Sequence, residues 1–431
     1  MMLDESLRAR LTRLLPAHLL ERLPDVDALK EAIRHLNGLQ RALSSFLPLY
    51  IAQDHALIDR DFSALNLGTF LFADVAGFTA LSETLQHRLG AEGTEILTEL
   101  LNDYFATMLE VMAKSDGQLL KFAGDALLGF FPASSAPDDL DDLHKAIRTG
   151  LRMQRAIRKF QPINHPQLAP LFGEHSEELT MSVGVARGRL FEASVDTAYQ
   201  RDYVIQGSLP ELAMQAEALG LRDEVILSEA LAEQLRGAFD VEPLTNGFVR
   251  VVDNLGDQLD DYEFQLIMRR RPKSSVLFDF EQQDLVATLG RLLTDVERTA
   301  RFVAPAVANQ LIISDDFHLL SAHRPITIMF VHFTGFAEAL ETWGGEHLPL
   351  VTSLLERCYA IVLGIVSSYG GTLTRSDPFR QGAKLLITFG APIAHADDPE
   401  RAAAAALEIT HQLALFNQCL RVELPEDLRR A

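Results

Sequence analysis

Positive charge is scarce in this chain. Its 431 residues carry 39 Lys and Arg against 60 Asp and Glu, a formal net charge of -21. A surface that grips a nucleic-acid backbone needs clustered Lys and Arg to neutralise phosphates, so no nucleic-acid partner is expected. Cysteine is scarcer still. Cys358 and Cys419 are the two, each in an apolar stretch of helical spacing. Chains matured in an oxidising compartment usually carry a disulfide framework; here both cysteines are expected to be reduced core residues of a cytoplasmic protein. The start, Met1-Met2-Leu3-Asp4-Glu5, has neither a basic segment nor an apolar run, so no secretory signal is expected. Long hydrophobic runs are missing too. The most apolar, Cys358 to Val366, falls far short of the roughly 20 residues that span a bilayer, and no membrane association is expected.

What is present is an ordinary globular composition, with 48% hydrophobic and 23% charged residues. The length suits two or three domains. Two acidic motifs stand out, with Asp74 and Asp125 51 positions apart. One is Leu71-Phe72-Ala73-Asp74-Val75-Ala76-Gly77-Phe78-Thr79. The other is Leu120-Lys121-Phe122-Ala123-Gly124-Asp125-Ala126-Leu127. Each sets one carboxylate at the edge of an apolar run, beside a glycine. An ionised Asp next to buried strands is costly unless something compensates it. Hard oxygen donors suit Mg or Mn held together with substrate phosphates. Two carboxylates from separate strands can hold two divalent ions for an in-line displacement at phosphorus. The plainer alternative is a pair of turn aspartates.

The motif pair resembles the metal-binding motifs of the class III adenylyl/guanylyl cyclases. Strands alternating with helices, with helices over one face, give an α+β domain, and the resemblance implies a ferredoxin-like β-α-β-β-α-β core with an added hairpin. It implies ATP, or GTP, as substrate, with the ribose 3′-oxygen attacking the α-phosphorus and pyrophosphate leaving. Asp74 and Asp125 match the catalytic metal aspartates, and the Val75 carbonyl matches a further metal contact. Gly77, Phe78 and Thr79 match the turn into a helix whose first N–H groups meet the triphosphate.

The chain then repeats itself. Pro325-Ile326-Thr327-Ile328-Met329-Phe330-Val331-His332-Phe333-Thr334-Gly335-Phe336 echoes the first motif, with His332 where Asp74 stood. Gly370-Gly371-Thr372-Leu373-Thr374-Arg375 echoes Asp116 to Lys121, and Lys384 to Pro392 echoes Ala126 to Pro132. The second hairpin reads as about six residues longer. An intact first motif followed by a degraded second resembles the tandem, bicarbonate-responsive soluble adenylyl cyclases and their bacterial relatives. That implies two cyclase homology domains.

The expected layout is an N-terminal helical region (1–62), a first cyclase homology domain (63–270), a helical linker (271–323) and a second, degenerate domain (324–431). Leu36, Leu39, Leu43, Phe46 and Leu47 recur at helical spacing. The linker's Arg301 to Leu311 faintly echoes Thr12 to Leu23, either as a signalling helix or as a packing helix with Pro near its first turn. Strands are expected at Leu179–Ala186, Tyr203–Gln206, Val225–Ser228 and Glu263–Ile267, with a helix over Leu209–Leu219.

The same resemblance implies an Asn and an Arg, four residues apart on a helix, for the ribose and the transition-state phosphate. An ungapped reading puts Glu211 and Gln215 at those positions. Neither replaces a guanidinium. The Asn and Arg are therefore expected from the second copy, whose repeat breaks off after the helix from Pro399 to Gln418. The second domain is expected to be incomplete at its C-terminal end, with a missing C-terminal region or a second chain completing the site, and the chain alone to turn over little. Arg375 matches a Lys near the nucleotide in tandem relatives. Lys121 reads either as a structural partner of Asp125 or as part of a regulatory anion site. His332 reads first as an edge residue of its strand. A catalytically silent, nucleotide-sensing module is the alternative function. A diguanylate cyclase is excluded, because Gly370-Gly371 is followed by Thr372.

Overall fold

The computed structural model describes residues 4–53, 57–58, 61–134, 139–161, 178–220, 223–259, 282–314, 317, 324–379, 382–424 and 428. Chain contacts divide it into two compact units. One comprises Leu65–Phe191 with Gln206–Ile267, and the other Met1–Ala64 with Glu192–Ile205 and Met268–Ala431. The segmentation expected from sequence follows chain order; the contact division cuts across it.

The first unit is built on β1 (Ser63–Ala76), β2 (Gln118–Ala123), β3 (Ala126–Pro132), β4 (Thr180–Asp196), β6 (Val225–Ser228), β7 (Val241–Pro243) and β8 (Phe248–Val251). Their order is β2-β3-β1-β4-β6-β8-β7, and β5 (Arg201–Gln206), of which Arg201–Ile205 are counted with the other unit, pairs with β4. Strand residues alternate faces, so Leu71, Ala73 and Val75 of β1 point into one core. Helices Phe78–Leu89, Ala91–Lys114 and Asp141–Ile157 supply its other side through Leu81, Leu85, Leu100, Met108, Ala146 and Leu151. A buried polar link pins the last of these helices. Asp142 accepts from Thr69 Oγ1 at 2.7 Å and from Arg187 Nε at 2.9 Å. This is the expected α+β arrangement. The strand expected over Glu263–Ile267 lies outside the described residues.

The second unit contains a three-stranded sheet, β10-β11-β9, made of β9 (Thr327–Thr334), β10 (Thr372–Phe379) and β11 (Gly382–Phe389). Its order repeats β2-β3-β1, and so does its register. Phe72 pairs with Leu128, and Phe330 with Leu386. Both hairpins carry a bulge at the same step, between Leu119 and Lys121 and between Leu373 and Arg375. Seven positions separate the paired Lys121 and Leu128, and eleven separate Arg375 and Leu386. The second hairpin is therefore longer by four residues, not about six; its arms run on through two further ladder pairs, Pro378 with Ala383 and Phe379 with Gly382, that the first hairpin lacks.

Helix Leu348–Ser368 lies under this sheet. The helical stretch Gly345–Ser368 is long and apolar enough to cross a membrane on length and mean hydropathy (1.6 over its 18 most apolar residues), well beyond the short run expected, but 56% of those 18 residues are buried within the fold. It is a core helix of this unit, with Leu355, Tyr359 and Val362 fully enclosed. Cys358 lies in that core, and burial pushes its thiol up to about 12. Cys419 is exposed, contrary to the expected core position, because helix Asp398–Glu423 turns that face outward. Both thiols are free.

The same unit holds a helical cluster. Helix Val26–Ser44 buries Leu29, Ala32, Leu36, Leu39 and Leu43, a three-four spacing, against Leu285, Leu289, Leu293 and Val296 of helix Gln282–Ala300. Phe46 falls beyond the helix end and is exposed. Inside the seam, Gln40 Nε2 donates to Thr299 Oγ1 at 2.9 Å. At its edge, Arg10 pairs with Glu297 at 2.5 Å. The echoed segments become helices Ala17–Arg22 and Pro305–Ile313, each beginning at or just after its proline and each packed into this one core.

Candidate active site

The two aspartates meet at one end of the β1–β3 ladder. The last register pair is Ala73 with Leu127. Asp74 is the next residue of β1, and Asp125 occupies the turn that feeds β3. Gly124 makes that turn at φ 76°, a backbone region where a Cβ is disfavoured. Apolar alternation along β1 thus delivers one carboxylate, and a Gly-Asp turn delivers the other.

Their electrostatics reflect this proximity. Burial raises the pKa of Asp74, the charge of Asp125 raises it further, and a hydrogen bond from its own neighbour, the Val75 N–H, partly offsets both. Two half-buried carboxylates that repel each other are a natural seat for divalent cations. Among the described residues no group of three or more His, Cys, Asp or Glu converges to hold a metal. A pair of carboxylates and a carbonyl suits an ion that keeps waters or phosphates in its shell. The donor set fits magnesium or manganese.

Beside the pair, Gly77 turns the chain at φ 105° into helix Phe78–Leu89. A Cβ there would stand 3.1 Å from the Glu178 carbonyl, so glycine is required twice over. The helix start has no side-chain cap, which leaves backbone N–H groups for a ligand. Phe78 is buried beneath this turn and Thr79 is exposed.

Two neighbours escaped the sequence reading. Glu217 ends helix Ser208–Glu217. That helix lies directly on β4 because Gly184 has no side chain: a Cβ would fall 1.8 Å from the Ala213 carbonyl oxygen and 2.6 Å from the Glu217 nitrogen. Burial, then the charge of Asp74, pushes Glu217 up to about 7. Tyr104, on helix Ala91–Lys114, is 0% exposed, and its hydroxyl has no hydrogen-bond partner among the described residues. Burial raises its pKa, with Asp125 and then Asp74 adding to the effect. Both residues read in sequence as helix positions; nothing local marks them as facing a carboxylate.

The other expected residues are placed as follows. Glu211 and Gln215 are bonded to each other, Gln215 Nε2 donating to Glu211 Oε1 at 3.2 Å. Lys121 sits on β2 opposite Leu128. Arg375 belongs to the other unit. Its Nε lies 2.9 Å from the buried Asp377 carboxylate, an ion pair by distance whose N–H is not aligned for a hydrogen bond. Next to it, Ser376 Oγ donates to Asp202. His332 is an exposed edge residue, its Nε2 3.1 Å from the Phe379 carbonyl and its ring packed on Phe379.

Adenylate cyclase type 10 of Homo sapiens is 21% identical over 395 residues, covering 88% of this chain and 22% of that protein. The adenylate cyclase of Anabaena cylindrica is 26% identical over 151 residues, 35% of this chain and 27% of that protein. This chain therefore spans about a quarter or less of the length of these relatives. Among solved structures, the adenylyl cyclase CyaB from P. aeruginosa is 24% identical, covers 44% of this chain and 96% of that one, and superposes with a TM-score of 0.37. Residues 64–262, which contain Asp74, Asp125, Tyr104 and Glu217, match the family described as the adenylate and guanylate cyclase catalytic domain.

Proposed function

We propose that this chain is the metal-bearing part of a nucleotidyl cyclase that converts ATP to cyclic AMP and pyrophosphate in the cytoplasm. The observation that carries the reading is the convergence of Asp74 and Asp125 at one sheet end beside the uncapped turn at Gly77. Asp74, Asp125 and the Val75 carbonyl would hold two magnesium or manganese ions. When bound, such ions lower the pKa of the ribose 3′-hydroxyl and neutralise the triphosphate. The repulsion between the two carboxylates, already visible in Asp74, is what favours dication binding there. The N–H groups after Gly77 orient the triphosphate, and Phe78, buried beneath the turn, fixes their direction. In the reaction the 3′-oxygen bonds to the α-phosphorus, the bond to the bridging oxygen breaks, and pyrophosphate leaves.

Residues 324–424 read as a second, degenerate cyclase copy, supported by the shared strand order, register and bulge. Arg375 there is assigned to the nucleotide, and Lys121 to a structural or regulatory role. Guanine is the alternative base. Glu211 and Gln215, tied to each other, offer no cation to a developing phosphate charge. Removing one transition-state donor costs about 10²–10³ in rate, so completion by a further C-terminal region or second chain belongs to the proposal. The same pair favours the second reading, a nucleotide-sensing module without turnover.

The test is cyclic AMP formation from Mn-ATP by the purified chain, alongside Mn-nucleotide binding. We expect slow turnover that Asp74→Asn and Asp125→Asn abolish. Binding without product, lost in both variants, would favour the sensing module. Nucleotide binding and turnover that ignore both substitutions would overturn both readings.

A further inference from the structure

Tyr104 presents an unexplained cost. A buried hydroxyl without a partner loses its water hydrogen bonds and gains nothing in return. Native folds rarely leave such a group without reason. A phenylalanine would fill the same space without that penalty.

The surroundings say where the hydroxyl belongs. The Tyr104 ring packs edge-on against Phe78 at 5.4 Å between centroids, four residues past Asp74. The adjoining Phe105 packs edge-on against Phe122 at 4.9 Å, three residues before Asp125. Helix Ala91–Lys114 therefore braces both acidic motifs at once through consecutive aromatic residues. Phe160 closes a further side of the Tyr104 ring, centroids 6.0 Å apart. The polar end is the part these rings leave over, and it lies within electrostatic reach of Asp125 and, more weakly, Asp74. Those carboxylates are the charged groups that act on this phenol, and they, with burial, hold it in its neutral, proton-donating form.

We propose that Tyr104 is a positioning residue for the carboxylate pair, its hydroxyl donating a hydrogen bond to the Asp125 carboxylate when a divalent cation draws that group into place. This rests on the metal-site reading above. The cation needs one carboxylate oxygen and leaves lone pairs on the other. A donor from the core side fixes the carboxylate rotamer and supplies the phenol with its missing acceptor. Partners of this kind behind a metal ligand typically change metal affinity 10–100-fold when removed.

The experiment is a Mn²⁺ titration of the full chain followed by electron paramagnetic resonance, on wild type, Tyr104→Phe and Asp125→Asn. Thermal unfolding in chelator runs in parallel. Tyr104→Phe should unfold at or above the wild-type temperature without metal, because it sheds an unpartnered hydroxyl, yet bind Mn²⁺ about 10-fold more weakly. Wild type should also show a tyrosine absorbance difference on Mn²⁺ addition. Wild-type affinity in Tyr104→Phe, with Asp125→Asn impaired, overturns the role of Tyr104 and leaves the metal site standing. Undiminished binding in Asp125→Asn overturns the metal site as well. Should Tyr104→Phe fail to fold, a wild-type chain with no tyrosine signal on Mn²⁺ addition still overturns the proposal.

Discussion

At the scale of single residues, the site concentrates negative charge where solvent is thin. Glu217 shows the consequence most directly. Its pKa in the fold, about 7, lies above the ordinary 4.5, through burial first and Asp74 second. A raised folded-state value means that protonation favours the fold. The contribution is complete below about pH 4.5 and is lost as pH rises through about 7. Asp74 is shifted in the same direction, so it adds to the effect with the same sign. In chelator, wild type should therefore lose stability between pH 5 and 8 relative to Glu217→Gln, which stays neutral throughout. Melting temperatures across that range decide the matter; parallel curves for the two proteins would contradict the assignment. None of this was legible in the sequence, where Glu217 is one polar position in a helix. Asp74 and Asp125 were legible, because the chemistry of each lies in its immediate neighbours: an apolar run, a glycine and a turn.

At the scale of elements, two helices with the same starting motif differ in what covers them. Asp142 and Asp398 are each buried at a helix start, and Leu151 and Leu407 each follow nine residues later. Leu151 is 1% exposed and Leu407 is 76% exposed. The first helix lies on β4 and β6, where a Cβ on Gly150 would stand 3.1 Å from both Val183 and Val225. Among the described residues the second sheet has three strands, and its β9 also presents Phe330, 61% exposed. Leu151→Ala should cost about 2–5 kcal/mol through lost contacts and a cavity. Leu407→Ala should stay within about 0.5 kcal/mol of wild type. Denaturant midpoints measure both, and a large loss at Leu407 would mean that something covers that face in solution. The helical periodicities were readable in advance; which stripe finds a partner was not, because the covering strands come from far along the chain.

At the scale of the whole molecule, one helical cluster is assembled from segments far apart in the sequence, on either side of residues 64–262. Helix Val26–Ser44 precedes it and helix Gln282–Ala300 follows it, and their apolar stripes close on each other. Most helical stability in proteins comes from such packing rather than intrinsic propensity. A chain lacking residues 1–47 should therefore expose Leu285, Leu289, Leu293 and Val296, and trypsin should cut at Arg291 and Arg298. The full chain should resist at both arginines under the same conditions. Equal resistance would show that helix Gln282–Ala300 stands without its N-terminal partner. The sequence offered the two stripes and the faint echo around Pro16 and Pro305, which left signalling and packing readings open; the shared core adds the packing partner.

Short-range pattern determined much of this protein. The order of residues specified the α+β class, an acidic strand end, an acidic turn and the strand–hairpin repeat; only with the family resemblance did it set Glu211 and Gln215 where a cation is expected. Each of these depends on neighbours within a few positions, where backbone geometry and side-chain spacing suffice. Tertiary structure decided the rest: that Glu217 feels the charge of Asp74 from a helix that Gly184 lets sit on a strand, that the Tyr104 hydroxyl is enclosed in the core without a partner among the described residues, that Ser376 meets Asp202, and that Leu407 stays exposed where Leu151 is buried. Those outcomes depend on which distant surfaces meet. Burial, and with it the cost of a charge or an unpartnered hydroxyl, exists only once they have met.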